Sequence, residues 1–289
     1  MVRPENTPRQ RPGEVPELPE VETIVRDLRR LVVGSEISET AVVKSDLIRG
    51  DPRAFEESLR DRQIRNVERR AKNIVFHLAR AGTGPDRLVI NLGMTGRVLV
   101  QADSAAEPTH LGVRFRLADG RRMLYQDVRR FGSLELLPSE FWERRSRGLG
   151  VEPLSETFTP ALLHRLTRTS RVAIKTWLMD QRRVVGIGNI YASEALFRAG
   201  VSPRRATRRL LRRQTAALYD AIVEVLNEAI AFRGTTFLDY RDASGERGGF
   251  VRRLLVYDRE GEPCPRCGSP IRRIVQGGRS TFFCPKCQR

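Results

Sequence analysis

Two pairs of cysteines constrain this chain more tightly than anything else in it. Cys264-Pro-Arg-Cys267 is followed, after sixteen intervening residues, by Cys284-Pro-Lys-Cys287, and there is no other cysteine. Each CxxC turn presents two thiolates from one tight bend, and two such turns at this separation match a tetrahedral zinc ribbon. The competing reading is a pair of disulfides. No charged-then-apolar signal segment opens the sequence, which disfavours an oxidising compartment, so one Zn2+ is expected. With four thiolates, no histidine ligand and no open coordination position, that zinc is expected to be structural. A module of roughly 35 residues builds too small a core, so the metal must supply its fold. Between the pairs lies QGGRSTFF, which places Gly-Gly-Arg at a hairpin tip, where Arg279 can be pushed into a nucleic acid.

Charge names the partner. The 289 residues carry a net charge of +17, and each phosphate neutralised by such a surface releases counterions. Of the 52 basic residues only Lys44, Lys72, Lys175 and Lys286 are lysines. Lysine differs from arginine in having a compact ammonium that can lose its proton, which singles out Lys72 and Lys175 for closer reading. A composition 40% hydrophobic and 30% charged supports packed cores rather than disorder. No apolar run is long enough to span a bilayer, so the expectation is a cytoplasmic, nucleoid-associated protein with no membrane partner.

The chain divides into four expected parts. Residues 1–15 are proline-rich and unpatterned, the profile of a disordered or mis-annotated extension. Residues 16–138 form an N-terminal β-sandwich with a leading helix. In that helix, over 19–33, Val21, Ile24, Val25, Leu28, Leu31 and Val32 recur at helical spacing, and Gly34 stops it. Alternating runs follow at 73–79, 87–92, 97–101, 113–120 and 133–137, separated by turn signals. Helical periodicity returns over 139–232 within a unit taken as 139–249, and 250–289 is the zinc ribbon. The fold class is therefore α+β.

The decisive segment is Pro16-Glu17-Leu18-Pro19-Glu20-Val21-Glu22. It resembles the N-terminus of the formamidopyrimidine-DNA glycosylase family, whose mature chains begin PELPEVE. The resemblance continues through Lys72 in RRAKN, LGMTGR (92–97), DVRRFG (127–132), LGVEPL (149–154), MDQRRVVGIGNIYASEALFRAG (179–200) and the ribbon's last turn, over essentially 16–289. The endonuclease VIII branch, which prefers oxidised pyrimidines, usually opens PEGPE, so Leu18 favours the purine branch. The departures are Asn91, where many relatives have His, Val128, where Pro is common, and the fifteen residues ahead of Pro16.

The resemblance implies a monomer that binds double-stranded DNA with oxidised bases, excises 8-oxoguanine or formamidopyrimidines and cuts the abasic strand by β,δ-elimination. Two rivals stand beside it: a glycosylase for oxidised pyrimidines, and a non-catalytic damaged-DNA-binding protein whose Pro16 is permanently blocked. Pro16 is the implied nucleophile. An α-amino group titrates near 8, far below lysine, so part of it is uncharged at neutral pH. Glu17 is the implied proton-transfer group, with Glu20 a weaker candidate near the base and Glu22 a helix-dipole partner. Lys72 is implied at the lesion and adjacent phosphates, and Lys175 as a second lysine approaching the lesion; Arg279 is placed in the site by its position at the hairpin tip. An extruded nucleotide leaves a hole that apolar wedges and arginine fill; the resemblance gives that task to Met94, Arg129 and Phe131. Asn189 opens a helix after Gly-Ile-Gly and is expected at a phosphate, with Glu194 ordering the helix–two-turns–helix element. DNA is expected in the cleft between the two halves. The loop ASGERGGF (243–250) matches the family's lesion-capping loop in position and glycine content alone. An amide nitrogen inside a chain is no nucleophile, so translation is expected to begin at the valine codon of residue 15, or residues 1–15 to be trimmed.

Overall fold

A computed structural model describes residues 15–79, 84–235 and 248–289; the expectations for the N-terminal tail and for residues 243–247 of the ASGERGGF loop fall outside these. Helix α1 (Leu18–Val32) begins beside Glu17, with Pro19 in its first turn and Glu20 at its positive end. Val21, Ile24, Val25, Leu28 and Val32 are wholly buried, each worth about 1.5–3 kcal/mol against exposure. Gly34, at φ +90°, then turns the chain away.

Eight antiparallel strands follow: β1 (Glu36–Val42), β2 (Arg62–Arg70), β3 (Asn73–Leu78), β4 (Arg87–Asn91), β5 (Gly96–Ala102), β6 (Leu111–Leu117), β7 (Arg121–Asp127) and β8 (Ser133–Leu137). They are ordered β5-β7-β6-β1-β2-β3-β4-β8. Strands β1 and β2 share only the pairs Glu36↔Gln63 and Ile37↔Arg62. The ladder is narrow there, and inner residues from both sides of the joint, Phe115 and Tyr125 on one and Phe76 and Ile90 on the other, pack into one core with α1. This is the expected sandwich. The 36–137 region also contains a helix the strand reading passed over, α2 (Pro52–Leu59), started by Asp51 accepting from the Ala54 amide at 2.7 Å. Its short apolar pattern, Phe55 and Leu59, is too brief to stand out among strands.

Helix α3 (Ser139–Arg147) lays Trp142 on Val75, Val89 and Leu137, on the outer face of the sheet. It therefore packs on the sheet half. The helical half contains α4 (Pro160–Arg168), α5 (Ile174–Leu178), α6 (Asn189–Arg198) and α7 (Arg212–Ala231). The last of these is central, with Leu218, Ile222, Val225 and Leu226 fully buried.

The ribbon hairpin, β9 (Arg272–Gln276) and β10 (Arg279–Phe283), turns through Gly277 and Gly278, both at positive φ, and pairs Gln276 with Arg279. The tip is where the sequence placed it. The ribbon is not self-contained, however: Cys264, Ile271, Phe282 and Cys284 pack in the same apolar cluster as α5, α6 and α7. Among the described residues no helix is long and apolar enough to cross a membrane.

Candidate active site

The Pro16–Glu17 segment lies where the two halves meet. Leu18 donates its amide to Gly186 O at 2.9 Å and buries its side chain in the helical core rather than in the sheet core that receives the rest of α1. Gly186 sits at φ +80°, and a Cβ there would come within 2.6 Å of Leu18 Cβ. The Glu17 side chain is buried, and its carboxylate accepts from the amides of Gly188 (2.6 Å), Ile190 (2.9 Å) and Tyr191 (3.4 Å). A carboxylate from the first residues of the chain thus caps the N-terminus of α6, satisfying amides that have no partner within the helix. Asn189, the residue expected at a phosphate, lies between the Gly188 and Ile190 amides that Glu17 engages.

Lys72 reaches the same point from the β2–β3 turn. A Cβ on Gly188 would lie 2.5 Å from Glu17 Oε1 and 2.8 Å from Lys72 Nζ, so the two side chains close on that glycine together. Burial pushes the Glu17 carboxyl up to about 7; the Lys72 charge opposes the shift and Glu20 adds to it. Burial also lowers Lys72, with Glu17 and Glu20 opposing and Arg279 assisting. Glu20 is buried too, accepting from Glu17 N (2.9 Å), Tyr191 Oη (2.5 Å) and Thr235 N (2.7 Å). Its pKa is raised by burial against those bonds. Pro16 is buried beside this cluster, its nitrogen bonded to Val15. A carboxyl poised near 7 is suited to giving and taking a proton at neutral pH. Glu22 instead pairs with Arg26 and Arg69.

Arg279, at the hairpin tip, is exposed yet close enough to lower both Lys72 and Lys175. Lys175, the second lysine expected near the lesion, faces into the protein. It is 1% exposed, and its ammonium donates to Asn189 Oδ1 (2.5 Å), Ser280 O (2.8 Å) and Thr281 Oγ1 (2.7 Å). All three protons are spent binding α5 to α6 and to the strand that begins with Arg279. Burial lowers Lys175 to about 7. Half-buried Asn189 also donates to Tyr257 Oη (3.1 Å). Glu194, fully buried, accepts from the amides of Leu255, Val256 and Tyr257, joining α6 to the chain that leads into the ribbon.

The four cysteine sulfurs lie within 4.8 Å of one another, with Cys267–Cys284 at 3.5 Å and Cys264–Cys287 at 4.0 Å. Tetrahedral Zn–S bonds of about 2.3 Å require sulfurs about 3.8 Å apart, so the donor set fits zinc. The site holds one structural zinc.

The two expected wedge loops abut. Gly93, at φ +57°, faces the Phe131–Gly132 backbone so closely that a Cβ would come within 2.5 Å of it. Met94 is half-buried, Phe131 is 59% exposed, and the exposed Arg129 guanidinium stacks 4.7 Å from the Phe131 ring centroid. A large exposed phenylalanine with a cation over it is a poor core residue and a good wedge.

Family models match the chain in three consecutive parts: the formamidopyrimidine-DNA glycosylase N-terminal domain over 15–134, its H2TH domain over 149–240, and a zinc finger found in FPG and IleRS over 261–289. The formamidopyrimidine-DNA glycosylase of Desulfitobacterium hafniense is 42% identical over 279 residues, covering 95% of this chain and all of the relative. The chain belongs to the formamidopyrimidine-DNA glycosylase family. That of Geobacillus kaustophilus is likewise 42% identical, over 282 residues. The Lactococcus lactis Fpg solved with abasic-site DNA superposes with a TM-score of 0.87 at 33% identity, covering 94% of this chain and 99% of that one. A Lactococcus lactis FPG mutant with Fapy-dG DNA gives 0.87 at 32%, covering 95% and 100%.

Within this formamidopyrimidine-DNA glycosylase fold, two carboxylates do work that motif reading missed. Buried Asp127 opens DVRRFG. It accepts from Thr95 Oγ1, Gly132 N (2.8 Å) and Arg129 N (3.2 Å), tying both wedge loops together and holding Arg130 at φ +55°. Glu152, in LGVEPL, accepts from Ala71 N (2.7 Å) and pairs with Arg69 (2.7 Å) and Arg70 (3.0 Å). It fixes the turn that presents Lys72, where Ala71 sits at φ +56°. A left-handed non-glycine residue costs about 1–2 kcal/mol, so each turn needs such an anchor. Both residues stand inside quoted motifs, but Asp127 beside Arg129 and Arg130 reads as a surface ion pair until its burial is known, and nothing near Glu152 in sequence points to the distant turn at Ala71. Asn91, standing for His, caps the LGM turn by accepting from Gly93 N at 3.0 Å.

Proposed function

We propose that the chain excises oxidised purines, 8-oxoguanine and formamidopyrimidines, from duplex DNA and then cuts the strand, acting as a monomer in the bacterial cytoplasm. The observation that carries this reading is the buried Glu17–Lys72 pair at the junction, in a family whose solved members include complexes with Fapy-dG and abasic-site DNA. Pro16 nitrogen attacks C1′, the N-glycosidic bond breaks, and the base leaves with the bonding pair and a proton. The resulting iminium acidifies the C2′ proton; its loss expels the 3′ phosphate, and a second elimination expels the 5′ phosphate. Glu17, with its carboxyl near 7, holds the proton that sugar-ring opening needs and takes one back during elimination. Lys72 and Arg279 supply positive charge to the flanking phosphates. Met94, Arg129 and Phe131 fill the space vacated by the extruded nucleotide, with Arg129 donating to the orphaned base. Asn189 orders the junction from the helical side. Lys175 acts through the position of β10 rather than by touching DNA.

This chemistry needs a free Pro16 amine, so the bond to Val15 must be absent in the active form. Borohydride reduction on an 8-oxoguanine duplex should link DNA to a peptide starting at Pro16, and intact mass should lack residues 1–15. Linkage to a lysine, or full activity in a chain that keeps residues 1–15, overturns the assignment. A second reading, action on oxidised pyrimidines, is favoured by one observation: a solved Lactococcus lactis relative is bound to DNA containing an oxidised pyrimidine. A lesion panel under single turnover ranks the two.

A further inference from the structure

We propose that the arginine-rich segment 203–214, on the flank of the helical half, is a second DNA-contact surface that holds the phosphate backbone of the duplex beyond the lesion. The segment carries Arg204, Arg205, Arg208, Arg209, Arg212 and Arg213 and no acid. There is no acidic residue between Glu194 and Asp220, nor between Glu156 and Asp180. The fold lays these two acid-free stretches side by side. Ala173 pairs antiparallel with Ala206, Thr207 N donates to Val172 O (2.9 Å), and Arg208 N donates to Ser170 O (2.9 Å). Arg168 consequently reaches the Arg208 carbonyl at 2.5 Å, which adds its charge to the same patch.

Thr207 and Leu210 are buried and root the segment, while Arg204, Arg208, Arg209, Arg212 and Arg213 are exposed. Several arginines elsewhere in the same half do meet carboxylates: Arg182 meets Asp180, Arg198 meets Glu224 and Glu228, and Arg253 meets Glu228. Among the described residues no ion pair involves any arginine of 203–214. Arg212 and Arg213 also open α7, whose first turn has no acid, although the dipole at that end favours anions. An ordinary solvated face mixes both signs; a single-sign field of this density is unfavourable in the free protein and is relieved by a polyanion.

Position identifies that polyanion. Gln276 of the ribbon hairpin donates to Pro203 O at 3.3 Å, and the backbone amide of Lys175 donates to the same carbonyl at 3.4 Å. A Cβ on Gly277 would lie 3.6 Å from Thr176. The segment therefore starts, at Pro203, against the tip of the hairpin, beside the turn that leads into Arg279. A duplex backbone leaving Arg279 meets it next. This rests on the reading of the chain as a DNA enzyme.

The test combines Arg204→Gln, Arg208→Gln, Arg209→Gln and Arg212→Gln in the active form of the protein, which begins at Pro16. All four side chains are exposed and outside the Glu17–Lys72 junction. Anisotropy against salt is measured on abasic-analogue duplexes of about one and a half and about three helical turns, and strand cleavage on duplexes of the same two lengths that carry a true abasic site. On the long duplex the variant should bind more weakly, with a salt slope shallower by up to about 0.9 for each phosphate contact removed. On the short duplex affinity, slope and strand cleavage should match the unsubstituted chain. An unchanged slope on the long duplex, or equal losses on both lengths, overturns the proposal. So does a loss confined to double-stranded RNA or an acidic polypeptide. If neither protein cleaves the short duplex, the enzymatic reading fails while the two slopes still judge this one.

Discussion

Glu17 illustrates how far a side chain can be moved from its solution chemistry by its surroundings. Its carboxylate accepts three backbone amides and faces Lys72, both of which favour the charged form, yet burial outweighs them and the pKa rises to about 7. The direction has a stability consequence. A carboxyl raised from 4.5 to about 7 binds more protons folded than unfolded, so its contribution falls as pH rises through that window. Catalysis should register the same group. Single-turnover base excision should decline above pH about 7, as Glu17 loses the proton it donates. Glu17→Gln should slow excision by about 10²–10⁴-fold and abolish that limb in the residual rate. A variant that keeps the limb would assign it to another group.

At the scale of elements, the DVRRFG and LGMTGR loops form one unit. Gly93 permits the contact, Asp127 ties the loops, and the stacked Arg129–Phe131 pair is left projecting. If that unit is the wedge, Phe131→Ala should slow 8-oxoguanine excision by roughly 10- to 100-fold, equivalent to about 1.4–2.7 kcal/mol of barrier. Cleavage of DNA already carrying an abasic site should suffer much less, because less stacking must be broken. Equal losses on both substrates would make Phe131 a structural residue. The helix α2 makes the complementary point: Asp51-Pro52 is a sound start signal, but eight residues with two apolar anchors carry too little periodicity to be separated from neighbouring strands.

In the whole molecule, long-range carboxylates and one lysine assemble the halves. Glu17 caps α6, Glu152 clamps the Lys72 turn, Glu194 docks the approach to the ribbon, and Lys175 binds the ribbon strand. The ribbon shares its core with α5–α7, so loss of zinc should spread beyond the last residues of the chain. The two tryptophans report the halves separately: Trp177 lies in the helical core and Trp142 on the sheet. Cys284→Ser should lose zinc, lower the melting temperature, weaken DNA binding and shift Trp177 emission while leaving Trp142 unchanged, read in single-tryptophan backgrounds. A zinc-free variant that melts and binds as the parent would remove the metal's structural role.

By itself the sequence determined what depends on neighbours within a few residues: the CxxC turns, the apolar stripe of α1, the alternation of the strands, and the motifs that carry family membership. Pro16, Glu17, Lys72 and Arg279 could be named from those motifs, and the fold brings Glu17, Lys72 and Arg279 into range of one another. Tertiary structure alone decided what depends on burial and on contacts between distant residues. Glu17 finds its amide donors at Gly188, Ile190 and Tyr191 and acquires a carboxyl near 7 only in that contact. Lys175, which the sequence pointed toward DNA, is turned inward to three acceptors on α6 and β10. Local spacing carries no record of how deeply a charge will lie, and the cost of desolvating that charge sets what the residue can do.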